Sequence, residues 1–315
     1  MGQGASRCDA ALPPIGGAPE LPKSPGQFER LHEDTKRLTN INTFEGARFE
    51  VSKPLTPMFA LTHTFMLGAS PYPSANSHYK LGANVGDNDR VVISSIDQHG
   101  TVEGQCFGNI LPFLQGKLIF NLPHDPKGFV AVCDADFSGR TSSAQLKLAQ
   151  NIHGQPGTHL GVSYVQAITP RLSLGGEGHC SLGAPSATLV AAGKYAASKF
   201  SSVVTYTRAG PNEQLAIQYH RTVSPGRVQL GSELALQPAT GEAQMAAGAE
   251  FSLKQSRINL SVDGTGKMQS IVETTLSPAA KLTFSAEMHL GVGGGDEPGK
   301  PRDSYKFGYA LQIGQ

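Results

Sequence analysis

Lys306–Ile313 reads KFGYALQI. With a period of two, Phe307, Tyr309, Leu311 and Ile313 share one face, and Lys306, Gly308, Ala310 and Gln312 share the other. That is a β-strand with one apolar side. It is the last strand of the sequence, where an open soluble sheet would expose a sticky edge. The stretches before it repeat the pattern. KLTFSAEMHL sets Leu282, Phe284, Ala286, Met288 and Leu290 against Lys281, Thr283, Ser285, Glu287 and His289. RINLSVD opposes Ile258, Leu260 and Val262 to Arg257, Asn259, Ser261 and Asp263, and AQMAAGAEFSL alternates in the same way from Ala243 to Leu253.

Composition narrows the setting. Charged residues make up 16% of the chain, below the roughly 25% of an average soluble domain. The net charge of +1 and the lack of Lys/Arg clusters beside stacking aromatics exclude a nucleic-acid partner. Cys8, Cys106, Cys133 and Cys180 are isolated, with no C-x-x-C pair and no apolar secretory leader, and read as reduced thiols. No apolar run reaches the roughly 20 residues of a membrane helix. A closed barrel of alternating strands crosses a bilayer without one.

The chain divides into three parts. Residues 1–23, rich in Gly, Ala and Pro, read as a flexible leader. Residues 24–40 hold SPGQFERLHEDTKRL, which predicts an amphipathic helix capped by Ser24, with Pro25 at its first position. Phe28, Leu31, Thr35 and Leu38 form its inner face, and Glu29, Arg30, Glu33, Asp34, Lys36 and Arg37 its outer one. Residues 41–315 read as β throughout, with turn signals every ten to fifteen residues and about nineteen strands, from 44–52 to 303–313. Segments of about 9 to 12 residues suit tilted membrane strands better than a sandwich. The fold expected is therefore all-β, a transmembrane barrel of about 19 strands with a short helix in its lumen. An odd number makes the first and last strands parallel.

Catalytic and ligand-binding motifs are weak. GGGDEPGKP from Gly293 has Pro301 where a phosphate loop needs Ser or Thr, and GGEGHC from Gly175 lies within an alternating strand. The histidines stand singly and no serine occupies a G-x-S-x-G elbow, so neither an enzyme, a cofactor nor a metal is expected. MGQGAS places Gly2 and Ser6 in an N-myristoylation pattern, with Cys8 as a second acylation point.

The polar face is the candidate working surface. By parity Glu103, Asp134, Asp136, Glu177, Glu233, Glu242, Glu250, Asp263, Glu273 and Glu287 point the same way as Lys117, Lys147, Arg171, Lys194, Arg257 and Lys281. Around nineteen strands enclose a lumen too wide for side chains to fill, so these charges line an aqueous channel.

Several stretches resemble the family of central channel subunits of the translocase of the outer mitochondrial membrane, within the mitochondrial porin superfamily. YVQAITPRLSLGGE (164–177) is similar to that family's most distinctive segment, and SPGQFERLHEDTKRL to its N-terminal helix. AAGKYA (191–196) and HTFMLG (63–68) resemble shorter family segments. KFGYALQI also matches the sorting pattern of mitochondrial barrels at Lys306, Gly308, Leu311 and Ile313. The resemblance implies a multi-pass barrel of the mitochondrial outer membrane that conducts unfolded precursor proteins and their basic presequences, with the acidic lumen positions as path contacts. It implies partnership with a single-span receptor, with small single-helix subunits and with further copies of the barrel. The alternative is an anion-channel-like metabolite porin of the same membrane, which predicts a shorter N-terminus and a lumen biased to Lys and Arg.

Overall fold

The computed structural model describes residues 24–68, 76–87, 89–124, 128–151, 157–183, 187–290 and 303–314. Gly2, Cys8 and the GGGDEPGKP segment lie outside the described residues. After a short 3-10 turn (Phe28–Leu31) and a helix α1 (Glu33–Thr39), the described residues are strand and turn. The first strands are β1 (Gly46–Thr56), β2 (Phe59–Leu67), β3 (Ser77–Gly86), β4 (Arg90–Asp97), β5 (Val102–Leu111) and β6 (Leu114–Leu122). Next come β7 (Val130–Ser138), β8 (Ser142–Gln150), β9 (Thr158–Ala167), β10 (Leu172–Ser181), β11 (Ala187–Ala196), β12 (Phe200–Ala209) and β13 (Asn212–Ser224). The last are β14 (Val228–Gln237), β15 (Glu242–Ser252), β16 (Ser256–Asp263), β17 (Lys267–Ser277), β18 (Ala280–Leu290) and β19 (Asp303–Ile313).

All belong to one 19-stranded sheet in which each strand pairs antiparallel with its neighbour in sequence. β1 and β19 pair in parallel, from Gly46 opposite Gly308 to Val51 opposite Ile313, so the sheet closes and no edge remains. The outward face of the barrel is apolar: Phe49, Phe65, Leu146, Val162, Leu189, Phe284 and Tyr309 are all exposed there. In water such a surface would be untenable; in a bilayer it is the stabilising one. The opposite faces meet α1, whose contacts run along β13 to β16, while the 3-10 turn touches β9 and β10.

Among the boundaries that differ from the sequence reading, two starts have a clear cause. Helical structure starts at Phe28, not at Ser24 and Pro25, because Gly26 takes a left-handed φ of 77° and Gln27 is extended, without a side-chain cap. β1 begins at Gly46, not Phe44, because the preceding residues bind β18 from inside: Thr43 donates to Glu287 at 2.6 Å and Phe44 N–H to Ser285 Oγ at 3.0 Å.

Ser24 and Pro25 lie against the 168–171 turn between β9 and β10. β9 runs in the same sense as β1, so this turn marks the rim opposite to the start of β1. It is termed the lower rim below. Residues 24–45 thus cross the lumen from the lower rim to the upper before the barrel begins.

Candidate functional site in the barrel lumen

Short helices are marginal in isolation, and this one is held by the barrel wall. Phe28, Leu31, Thr35 and Leu38 are at most 3% exposed. Phe28 and Leu31 form a small apolar cluster with Val165 of β9 and Ala192 of β11, inward residues that break the polar lining where the helix docks. Further along, Leu38 passes so close to Gly231 and Gly248 that an added Cβ at Gly248 would fall on its carbonyl.

Polar contacts fix the remaining face. Gln27 donates to Asp136 at 2.7 Å, His32 Nδ1 meets Gln218 at 3.1 Å, and Lys194 pairs with Asp34 at 2.8 Å. Lys147 binds Glu29 and lies 3.8 Å from Glu177, and Arg37 lies 3.5 Å from Glu250. Burial pushes His32 below its ordinary pKa of 6.5; the Gln218 hydrogen bond opposes that shift and nearby Lys36 reinforces it.

Strand register places Glu103, Asp134, Asp136, Glu177, Glu233, Glu242, Glu250, Asp263, Glu273 and Glu287 on the inward face. Their surroundings differ. Glu103 is bound by Lys80, Glu273 lies 3.0 Å from Lys281, and Glu177 2.9 Å from His179. Glu233 accepts from Thr39 at 3.4 Å. Glu287 accepts from Thr43 and Gln269 and lies 3.4 Å from Lys267. Asp134 is buried, with one carboxylate oxygen lacking a partner. Glu242 and Asp263 stand near the upper rim, on β15 and β16, with no Lys or Arg partner among the described residues.

Arg171 is not on the wall as parity suggested; it ends the 168–171 turn, since Thr169 and Pro170 start that turn before β10 begins. Sequence reading also missed Glu50 on β1, which faces inward beside Gln312 at 3.3 Å and which the alternation of β1 alone would have found. A second omission is an inward apolar patch of Val91, Ile93, Phe107, Ile119, Val130 and Val132, on β4 to β7, facing the lumen away from the helix. The run RVVISSI hides it, because both faces of β4 are apolar.

The family model described as eukaryotic porin matches residues 24–291, from ahead of the first helical turn to just past β18. The chain belongs to the eukaryotic porin family. This eukaryotic porin is also similar to curated proteins named mitochondrial import receptor subunit TOM40 homolog. The mouse protein is 27% identical, over 99% of this chain and 84% of its own length. The TOM40 homolog 2 of Drosophila melanogaster is 28% identical, over 94% and 85%. Among solved structures, a Rhodopseudomonas blastica porin superposes with a TM-score of 0.46 at 9% identity, covering 73% of this chain and 92% of that one.

Proposed function

We infer that this eukaryotic porin is a protein-conducting channel of the mitochondrial outer membrane, a subunit of the translocase through which precursor proteins enter mitochondria. The observation that carries the reading is the similarity, over nearly the whole chain, to curated TOM40 homologs, and the width left beside the docked helix accommodates it. Nineteen strands spaced about 4.8 Å and tilted about 40° give a backbone diameter of roughly 38 Å, and inward side chains leave a bore of about 26 Å. The resident helix takes up about 10 to 12 Å of that. The remainder admits an extended chain or a single helix and excludes a folded 100-residue domain, whose radius of gyration alone is about 13 Å.

Presequence contacts are assigned to the acidic wall positions, with Glu242 and Asp263 nearest the upper mouth. Carboxylates without a basic partner attract a basic helix more strongly than those already neutralised. The apolar patch from Val91 to Val132 offers the same passenger a surface for its oily side chains. Lys306, Gly308, Leu311 and Ile313 act as the sorting signal, and the outward apolar faces receive lipid, the single-helix subunits, the single-span receptor and a second barrel.

The test is single-channel recording in planar bilayers. A basic amphipathic presequence peptide should interrupt the current at micromolar concentration, and an acidic peptide of equal length should not. Indifference to the basic peptide, together with strong anion preference, would instead assign the metabolite-porin function.

A further inference from the structure

The two rims of the barrel differ in charge. Each successive lower-rim turn from β7–β8 to β15–β16 carries one Lys or Arg and no acid: Arg140, Arg171, Lys199, Arg227 and Lys254. The upper-rim turns between β8 and β15 carry no charged residue. At one point the lower-rim cations extend onto the outer face. Arg221 is paired in register with the outward Phe200, and with Lys199, Ala197, Ser198, Phe200 and Tyr219 it lines a recess of about 380 Å³. That volume falls within the roughly 300–1,000 Å³ of small-ligand sites.

The recess has an aromatic wall. Phe200 lies between Tyr195 and Tyr219, with ring centroids 6.0 Å from each. Farther along the same outward faces of β12 and β13 come Val204 and Ile217, both exposed. Lys199 and Arg221 are exposed, and among the described residues neither has a carboxylate partner. Two unneutralised cations above an aromatic girdle and an apolar strip fit a negatively charged phosphodiester with acyl chains below it.

We propose that this recess is a binding site for an anionic glycerophospholipid of the surrounding leaflet. Arg221 and Lys199 grip the phosphate, Phe200 and Tyr219 pack against the glycerol, and the acyl chains lie over Val204 and Ile217. The site depends on the barrel standing in a bilayer, not on what its lumen conducts.

The experiment uses the full-length protein reconstituted in nanodiscs of phosphatidylcholine and phosphatidylinositol, with native mass spectrometry of the lipid retained after release. Wild-type protein should keep phosphatidylinositol in preference to phosphatidylcholine. In Lys199→Gln/Arg221→Gln, retention should fall about thirtyfold, equivalent to about 1 kcal/mol per cation. Arg140→Gln/Lys254→Gln, on the same rim but outside the recess, should change it by no more than about twofold. Equal loss in both variants would mean diffuse rim charge and would overturn the site, as would no loss in the first. Displacement by inorganic phosphate would reduce the recess to a general anion site and refute the lipid assignment. A photoactivatable phosphatidylinositol should label wild-type peptides spanning 197–200 and 219–221, a readout independent of variant folding; labelling elsewhere only would contradict the proposal.

Discussion

At the scale of single residues, the helix is held by two kinds of fit that can be disturbed separately. Gly248 is one, since any side chain there meets the Leu38 carbonyl and lies 3.1 Å from Thr39 N. Gly248→Ala should weaken helix docking by about 1–3 kcal/mol, the usual cost of overpacking, while the β-ladder stays closed. Hydrogen exchange of the Phe28–Thr39 peptide should speed up accordingly. Gly183→Ala, which meets nothing within 4 Å, should leave exchange unchanged. His32 is the other. Its pKa when docked lies below the ordinary 6.5, so above that pH neither the docked nor the undocked imidazole binds a proton and docking is at full strength. As pH falls below 6.5 the undocked form takes up the proton first, and docking weakens. Exchange of the same peptide, corrected for intrinsic rate, should therefore rise between pH 6.5 and 5.5, and His32→Gln should flatten that rise.

At the scale of elements, β19 closes the barrel and carries the proposed sorting signal, and the register separates the two roles. Leu311 faces outward opposite Leu282 on β18 and Phe49 on β1, near the lower rim, where a lipid-facing Lys costs only about 0–1 kcal/mol. Energetics alone would treat Leu311→Lys and Leu282→Lys alike. A sorting signal would not: Leu311→Lys should block membrane insertion in a mitochondrial import assay, and Leu282→Lys should insert. Equal behaviour of the two would remove Leu311 from the signal. Gly308 carries a further constraint, since it points inward beneath the Phe44 carbonyl and has no room for a Cβ. Strand alternation was legible in the sequence because lipid outside and water inside enforce it on most strands, β4 with its two apolar faces being an exception, and the odd count with its parallel seam followed. The helix start was not legible, because Gly26 overrides the Ser-Pro signal through a backbone conformation that has no periodicity. The pairing of Glu250 with Arg37 and of Glu29 with Lys147 was likewise invisible, since parity gives a face but no partner across a lumen.

At the scale of the whole molecule, the helix narrows the pore without changing its charge. Glu29, Glu33 and Asp34 are balanced by Arg30, Lys36 and Arg37, so removing the segment withdraws volume and no net charge. The barrel does not need it for closure, because its hydrogen-bonded ladder runs unbroken through β1 and β19. A helix about 10–12 Å across occupies roughly 15–20% of the area of a 26 Å bore. A variant lacking residues 24–40 should therefore conduct about 15–25% more current per channel in planar bilayers, with its reversal potential in a salt gradient shifted little. Unchanged conductance would mean that the helix lies outside the conducting path. A large change in ion selectivity would mean that its ion pairs with Lys147, Lys194 and Glu250 set the pore's charge balance, and that the lining cannot be read from the wall alone.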